Sequence, residues 1–247
     1  MIGERLYLVA GLLAAWQCLS WAGLLPELFF ASPLQILYSA CGLFAGGSIW
    51  PDFGSTVWRV FVAFVLAAVT GTPAGISIAY FKRVGYSTEV LMEFLRSIPP
   101  IALFPLFIFF FGIGDTSKIA VGFFSGTMII AIAAMYGTKQ INRTRLLLAK
   151  RMGLGGSRLF FRVLLPESLP TIIGGYRLAA SICLILVITT EMFLGSNLGL
   201  GVRLVDARML YDIPQLYALI AIAGATGYAI NMLFLMLEKR IVHWQGK

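Results

Sequence analysis

The sequence predicts an all-α, polytopic membrane protein with about six spanning helices and one structured loop between the fourth and the fifth. Three observations carry that prediction. Apolar residues make up 59% of the 247 and charged residues 12%, about half the charged share of a soluble domain. Mean hydropathy is +0.88. The apolar residues gather into runs long enough to cross a bilayer, which takes about 20 helical residues. One long polar interruption, residues 139–170, carries Lys139, Arg143, Arg145, Lys150, Arg151, Arg158 and Arg162 against Glu167 alone.

The first span is placed at residues 6–25. Arg5 ahead of it puts the N-terminus on the cytoplasmic side, because Lys and Arg near span ends resist translocation. Without a small-x-small cleavage site it reads as a retained span and not a signal peptide. In the connector, Ser32-Pro33 marks a helix start, a cap followed by a first-turn proline. Leu34, Leu37, Tyr38 and Cys41 recur at helical spacing, the pattern of a short amphipathic helix at the outer surface. The second span, 56–80, holds Gly71 and Gly75, and small residues four apart let helices pack closely. Lys82 and Arg83 mark a cytoplasmic turn. A helix over 87–97 follows, with Ser87 or Thr88 as its cap.

The third span, 97–112, contains Pro99, Pro100 and Pro105, which should kink or interrupt it. Broken backbone at membrane depth survives where protein buries it or where it lines a cavity. The fourth span, 117–136, repeats the small-residue spacing at Gly122 and Gly126. The fifth and sixth, 171–194 and 215–237, are joined by a glycine-rich outer segment. The basic tail at Lys239 and Arg240 is inside, so both termini are cytoplasmic.

The polar loop has its own pattern. Residues 146–152 suit a helix, and Gly153 to Gly156 breaks it, since glycine accepts the left-handed position that ends helices. A second short helix, 157–165, starts with Ser157 as N-cap and is stopped by Pro166 and Pro170. Together they make a rigid knob projecting from the membrane. The competing reading is a solvated basic loop touching only lipid headgroups.

Several functions are excluded or disfavoured. The formal net charge of +8 would suggest nucleic acid in a soluble protein, but here the bases collect in loops of one orientation, so no nucleic acid partner is expected. Cys18, Cys41 and Cys183 have no metal or disulfide spacing and read as small core residues. His243 is a lone tail histidine, which leaves most membrane-enzyme arrangements without a base. Asn142-Arg143-Thr144 is a sequon on the wrong side of the membrane. Gly153-Leu154-Gly155-Gly156-Ser157 lacks the lysine of a phosphate loop, and no such loop occurs elsewhere, so the energy for any transport must come from another protein or an ion gradient.

Within the loop, Ala149 precedes Gly153 by four residues, and nine residues then lead to Val163, Leu165 and Pro166. This resembles the signature E-A-A, three residues, Gly, nine residues, Ile-x-Leu-Pro of ABC importer permease subunits. Leu147 and Leu148 depart from it, and the missing Glu implies a docking surface of altered chemistry. The resemblance extends to Glu93-Phe94-Leu95-Arg96-Ser97-Ile98-Pro99-Pro100, to Phe111-Gly112-Ile113-Gly114, to Glu191-Met192, to Leu198-Gly199-Leu200-Gly201, and to Leu237-Glu238-Lys239-Arg240 with Trp244. These features are similar to the nitrate, sulfonate, taurine, bicarbonate and pyrimidine-precursor subfamily. It implies one permease domain over residues 1–247, a homodimer, a cytoplasmic ATPase that binds ATP and Mg in this chain's stead, and an extracytoplasmic binding protein. It also implies a coupling helix in the loop, its ATPase contacts carried by Ala149, Gly153, Ser157, Arg158, Val163, Leu165 and Pro166.

The translocation-path candidates are Glu191, Arg59, Arg177, Pro99 and Pro100. Ionisable groups inside a membrane are costly and mark pathways or partners, although each could snorkel to its nearest interface. Glu191 and Arg177 are roughly 21 Å apart along one helix and cannot pair within it. Arg59 is a partner for Glu191 or an anion-attracting group at the outer mouth. The first-choice cargo is a small oxyanion or sulfonate. The alternatives are a thiamine-precursor-like heterocycle or, in another class, a non-transporting membrane scaffold. A secondary transporter would need more intramembrane charge.

Overall fold

The computed structural model describes residues 2–193 and 197–241. Gly195, His243 and Trp244 lie outside these residues. The described chain is helical with no strand: α1 (Ile2–Trp21), α2 (Pro33–Ala45), α3 (Trp50–Tyr80), α4 (Lys82–Ser97), α5 (Phe104–Phe111), α6 (Asp115–Lys139), α7 (Arg143–Arg151), α8 (Gly156–Leu159), α9 (Leu165–Phe193), α10 (Leu200–Met209) and α11 (Ile213–Ile241).

Four stretches are long and apolar enough to cross a membrane: Trp50–Tyr80, Asp115–Lys139, Gly156–Phe193 and Ile213–Ile241. At ~1.5 Å per residue α3 is about 46 Å long, more than a ~30 Å hydrocarbon layer requires. A fifth is reached if Val90–Ser97 and Pro100–Phe111, bent by 82°, form one broken span. The bend falls at Pro99-Pro100, where α4 stops and a 3-10 turn, Pro100–Leu103, begins. The first of the six expected spans falls on α1, but its apolar described part, Tyr7–Trp21, is shorter than the ~20 residues a crossing takes, so four or five of the six expected spans are found among the described residues. It ends before Leu25 because Gly23 takes φ +69, the left-handed conformation that closes helices.

The chain divides into two compact units: Met1–Thr56 with Glu191–Thr226, and Val57–Thr190 with Gly227–Lys247. In the first, α2 opens on the expected cap. The Ser32 hydroxyl accepts from Gln35 N–H at 3.2 Å, and the Gln35 side chain accepts from Ser32 N–H at 2.8 Å, a reciprocal capping box. The Gln17 side-chain oxygen takes Leu34 N–H at 3.1 Å and so ties α1 to α2.

In the second unit, small residues let the long helices touch. A Cβ on Gly71 would sit 2.9 Å from the Thr127 carbonyl, and one on Gly75 would run into the Ala131 backbone. Gly126 faces Ala67 and Cys183 at 2.9 and 3.0 Å, and Gly137 faces the Ser168 carbonyl at 3.0 Å. Both glycine pairs anticipated from spacing are therefore contact points, of α3 on α6 and of α6 on its two neighbours. Cys183 is buried, and its thiol donates to the Gly122 carbonyl at 3.3 Å. Cys18 and Cys41 are exposed, so the core role expected of all three holds for Cys183 alone.

Three boundaries differ from the sequence reading. The helix before the double proline starts at Lys82 with Phe81 as its N-cap, not at Ser87 or Thr88. The first loop helix starts at Arg143, where the Asn142 side chain accepts Thr144 N–H at 2.8 Å. Pro166 and Pro170 do not stop the second loop helix. It runs from α8 through a π-turn, Phe160–Leu164, into α9. Pro166 lies in the first turn of α9, where proline costs little. The Ser168 hydroxyl donates to the Leu164 and Leu165 carbonyls at 2.6 and 3.2 Å, satisfying acceptors beside the prolines.

Candidate functional site

The loop between α6 and α9 is a folded unit. α7 closes with two reversed hydrogen bonds: Leu154 N–H to the Ala149 carbonyl and Gly153 N–H to the Lys150 carbonyl, both 3.0 Å. Gly153 supplies φ +77 between them. This is the Schellman closure, which usually takes a glycine at the left-handed position and is frequently accompanied by an apolar contact. The contact is present: Leu154 packs at a cluster that buries Ala149, Leu159 and Leu164 against Ile76, Ala134 and Ile172 of α3, α6 and α9. Three buried apolar side chains thus fix the loop to the bases of three long helices.

Ser157 is exposed and is not the N-cap, a place taken by Gly155. With Gly156 at φ +52, the backbone itself makes the turn that a serine cap was expected to make. Arg158 is exposed, Val163 and Leu165 are half-buried against the cluster, and Pro166 is half-buried. The loop's polar edge is a pair: Arg145 Nη1 donates to both Glu167 carboxylate oxygens at 2.7 and 2.8 Å.

An open groove of about 380 Å³ lies between the two loop helices. Leu148, Ala149, Met152, Leu154, Val163 and Pro166 line it together with the charged Arg145, Arg162 and Glu167. Three positions of the spacing signature, Ala149, Val163 and Pro166, are therefore walls of one concavity.

The path candidates separate. Glu191 is 2% exposed and does not snorkel. Its carboxylate accepts from the Thr56 hydroxyl at 2.9 and 3.0 Å and from Gly201 N–H at 3.0 Å. Thr56 in turn accepts Leu200 N–H at 2.9 Å, and Asp52 accepts Gly199 N–H at 2.8 Å. Arg203 Nε donates to Asp52 at 2.6 Å. Three successive N–H groups at the start of α10, which no intrahelical partner can satisfy, are thus taken by side chains of α3 and α9. Gly199 is required there: its φ is +147, and a Cβ would lie 2.5 Å from the Glu191 carboxyl carbon.

Asp52, Thr56 and Arg203 were not legible as partners in this knot. The only local signal was Asp52 and Thr56 at i and i+4, on one helix face. Arg59 is buried and donates from Nε and Nη2 to Asp115 Oδ1 at 2.9 and 2.8 Å. Arg177 is half-exposed, 4.0 Å from Glu238. Pro99 is exposed and Pro100 half-buried at the 82° bend.

Long apolar helices packed through small residues and joined by a folded polar loop fit a membrane transport permease. The family model described as binding-protein-dependent transport system inner membrane component matches residues 71–244, and the chain belongs to that family. It is 25% identical to the taurine transport system permease protein of Escherichia coli over 97% of this chain and 88% of that one. It is 26% identical to the bicarbonate transport system permease protein of Synechocystis, over 96% and 88% respectively. Its fold is similar to a chain of a methionine ABC transporter solved in an inward-facing conformation, with a TM-score of 0.68 at 18% identity, covering 76% of this chain and 93% of that chain.

Proposed function

We propose that this chain forms the translocation path of an ATP-driven importer for a small oxyanion or sulfonate. An extracytoplasmic binding protein delivers the cargo, and a separate cytoplasmic ATPase binds ATP and Mg. Two copies of the chain form the path, with both termini and the 139–170 loop in the cytoplasm. The chain itself catalyses no reaction. The observation that carries this reading is the loop: a knob locked by a Schellman turn and anchored by Ala149, Leu159 and Leu164 to three long helices. A lever so attached passes force from a bound ATPase to the spans. The taurine and bicarbonate relatives support the cargo class.

In this mechanism ATPase closure moves the loop, and α3, α6 and α9 move with it. Glu191, with Asp52 and Thr56, holds α10 in place beside the path. Arg59 is a fixed positive group that favours anions, and the Pro99-Pro100 bend gives the backbone its break. The test is co-expression of the tagged chain with its neighbouring ATPase and binding protein, followed by uptake of labelled taurine and bicarbonate into proteoliposomes. ATP-dependent uptake of either, inhibited by the other oxyanions, is the expected outcome. A preparation that retains the chain but recruits no ATPase would sink the reading.

A further inference from the structure

Where α9 meets α11, two polar side chains inside the spans lack the hydrogen bonds that the fold gives to others. The two helices run antiparallel along a seam fixed at two points. A Cβ on Gly227 would stand 3.4 Å from the Leu184 side chain, and Ile230 packs on the cluster that holds Cys183, Leu184 and Val187. Nearer the loop end of α9, Arg177 Nη1 stands 4.0 Å from Glu238 Oε2. Asn231 falls between these points, four residues from Gly227 and seven from Glu238, a spacing that keeps all three on one face of α11. At ~1.5 Å per residue α9 is about 44 Å long, about 14 Å more than a ~30 Å hydrocarbon layer. Arg177 stands roughly 18 Å inside its first residue, so its backbone is at membrane depth wherever the overhang lies.

We infer that Arg177 and Asn231 form a binding site for the transported oxyanion, and that Glu238 is the built-in counter-ion which the oxyanion displaces. The inference rests on the proposed import of a sulfonate or bicarbonate. Its first support is the donors. Among the described residues neither the Arg177 guanidinium nor the Asn231 carboxamide makes a hydrogen bond. Glu191 and Arg59, also inside the spans, are held by contacts of 2.8–3.0 Å. A guanidinium at membrane depth is costly and marks a pathway or a partner. Its planar fork of donors matches an oxyanion two bonds at a time, and the carboxamide adds two more N–H donors.

The second support is access. The Arg177 and Glu238 side chains are 40% and 39% exposed, and Asn231 is half-buried, so all three can be reached from the seam. The third is the looseness of the ion pair. Its 4.0 Å is beyond hydrogen-bond length, against 2.7 Å for Arg145–Glu167 and 2.6 Å for Arg203–Asp52. The Glu238 carboxylate is itself a singly charged oxyanion, so it holds the place that the cargo takes and returns when the cargo leaves. A site on a path has to release what it binds, and a competing carboxylate keeps the affinity low enough for that.

The experiment uses the chain with its ATPase in nanodiscs, without the binding protein. The probe is whichever of labelled taurine and bicarbonate the parent importer takes up in proteoliposomes. The two halves of the ion pair are expected to act with opposite sign. Arg177→Gln should weaken probe binding at least tenfold and Asn231→Leu at least threefold, whereas Glu238→Gln should tighten it at least threefold. All three should keep the parental melting profile. Affinity for the parent should be equal in phosphatidylcholine and in phosphatidylglycerol.

A pair that only braces α9 against α11 would give losses for Arg177→Gln and Glu238→Gln alike. That outcome, or parental affinity in all three variants, would overturn the inference and leave the importer reading standing. So would uptake by a parent that shows no saturable binding in nanodiscs. A tenfold loss of affinity in phosphatidylglycerol would overturn it in favour of a lipid phosphate. If Arg177→Gln does not fold, Glu238→Gln and Asn231→Leu decide. Failure of the parent to import either probe would overturn the inference together with the proposed function.

Discussion

Single residues decide the polar knot at the start of α10. Gly199 is one of them, because its φ of +147 and the carboxyl group 2.5 Å from its absent Cβ exclude every side chain. Gly199→Ala should therefore cost roughly 2–4 kcal/mol through strain and the displaced Glu191, read as a lower melting temperature and loss of protease protection over α10. Glu191 is the other. Truncation to Ala leaves the Thr56 hydroxyl and Gly201 N–H without an acceptor in a buried site, at about 1–3 kcal/mol for each orphaned group. Glu191→Gln keeps one carbonyl acceptor and should lose less than half as much. Equal melting temperatures for Glu191→Ala and the parent would show that the knot contributes nothing to stability. Neither residue's role was visible as such in the chain: Glu191 stood out as a lone acid in an apolar run, but Asp52, Thr56 and Arg203 lie far from it in sequence.

At the scale of the element, helices pack where side chains are absent. Between apolar helices in lipid there is no hydrophobic driving force, so close approach and dispersion hold them. Gly75 lies against the Ala131 backbone and Gly71 against the Thr127 carbonyl. Gly75→Leu should force α3 from α6 and abolish the monodisperse fraction in gel filtration, whereas Gly54→Leu, with nothing within 4 Å of its Cβ, should leave the elution profile unchanged. A normal profile for Gly75→Leu would refute the close packing. The spacing of these glycines was readable in the sequence, although which helix each would meet was not. The double proline was also readable as a break, but its 82° angle was not. The prolines at 166 and 170 misled, because Pro166 falls in the first turn of α9, where its missing N–H costs little, and α9 runs on through Pro170.

For the whole molecule, the loop is the point where a local turn acquires a long-range effect. Gly153→Asp places a charged side chain on a residue at φ +77, which opens the Schellman turn and slackens the knob. Expected in proteoliposomes is continued ATP hydrolysis with uptake reduced at least tenfold, and coupled uptake at the parental rate would count against the lever. By itself the sequence determined the all-helical membrane class, the four long spans and their approximate limits, the proline break, the glycine turn in the loop and the family, because each rests on composition or on spacing within one turn or one bilayer thickness. Only the tertiary structure decided the groove, the burial of Ala149, Leu159 and Leu164 together, the Arg59–Asp115 pair, and the capping of α10 by Asp52, Thr56 and Glu191. Those depend on residues up to 147 positions apart meeting in space, and hydrophobic pattern specifies which face of a helix is buried without specifying what it is buried against.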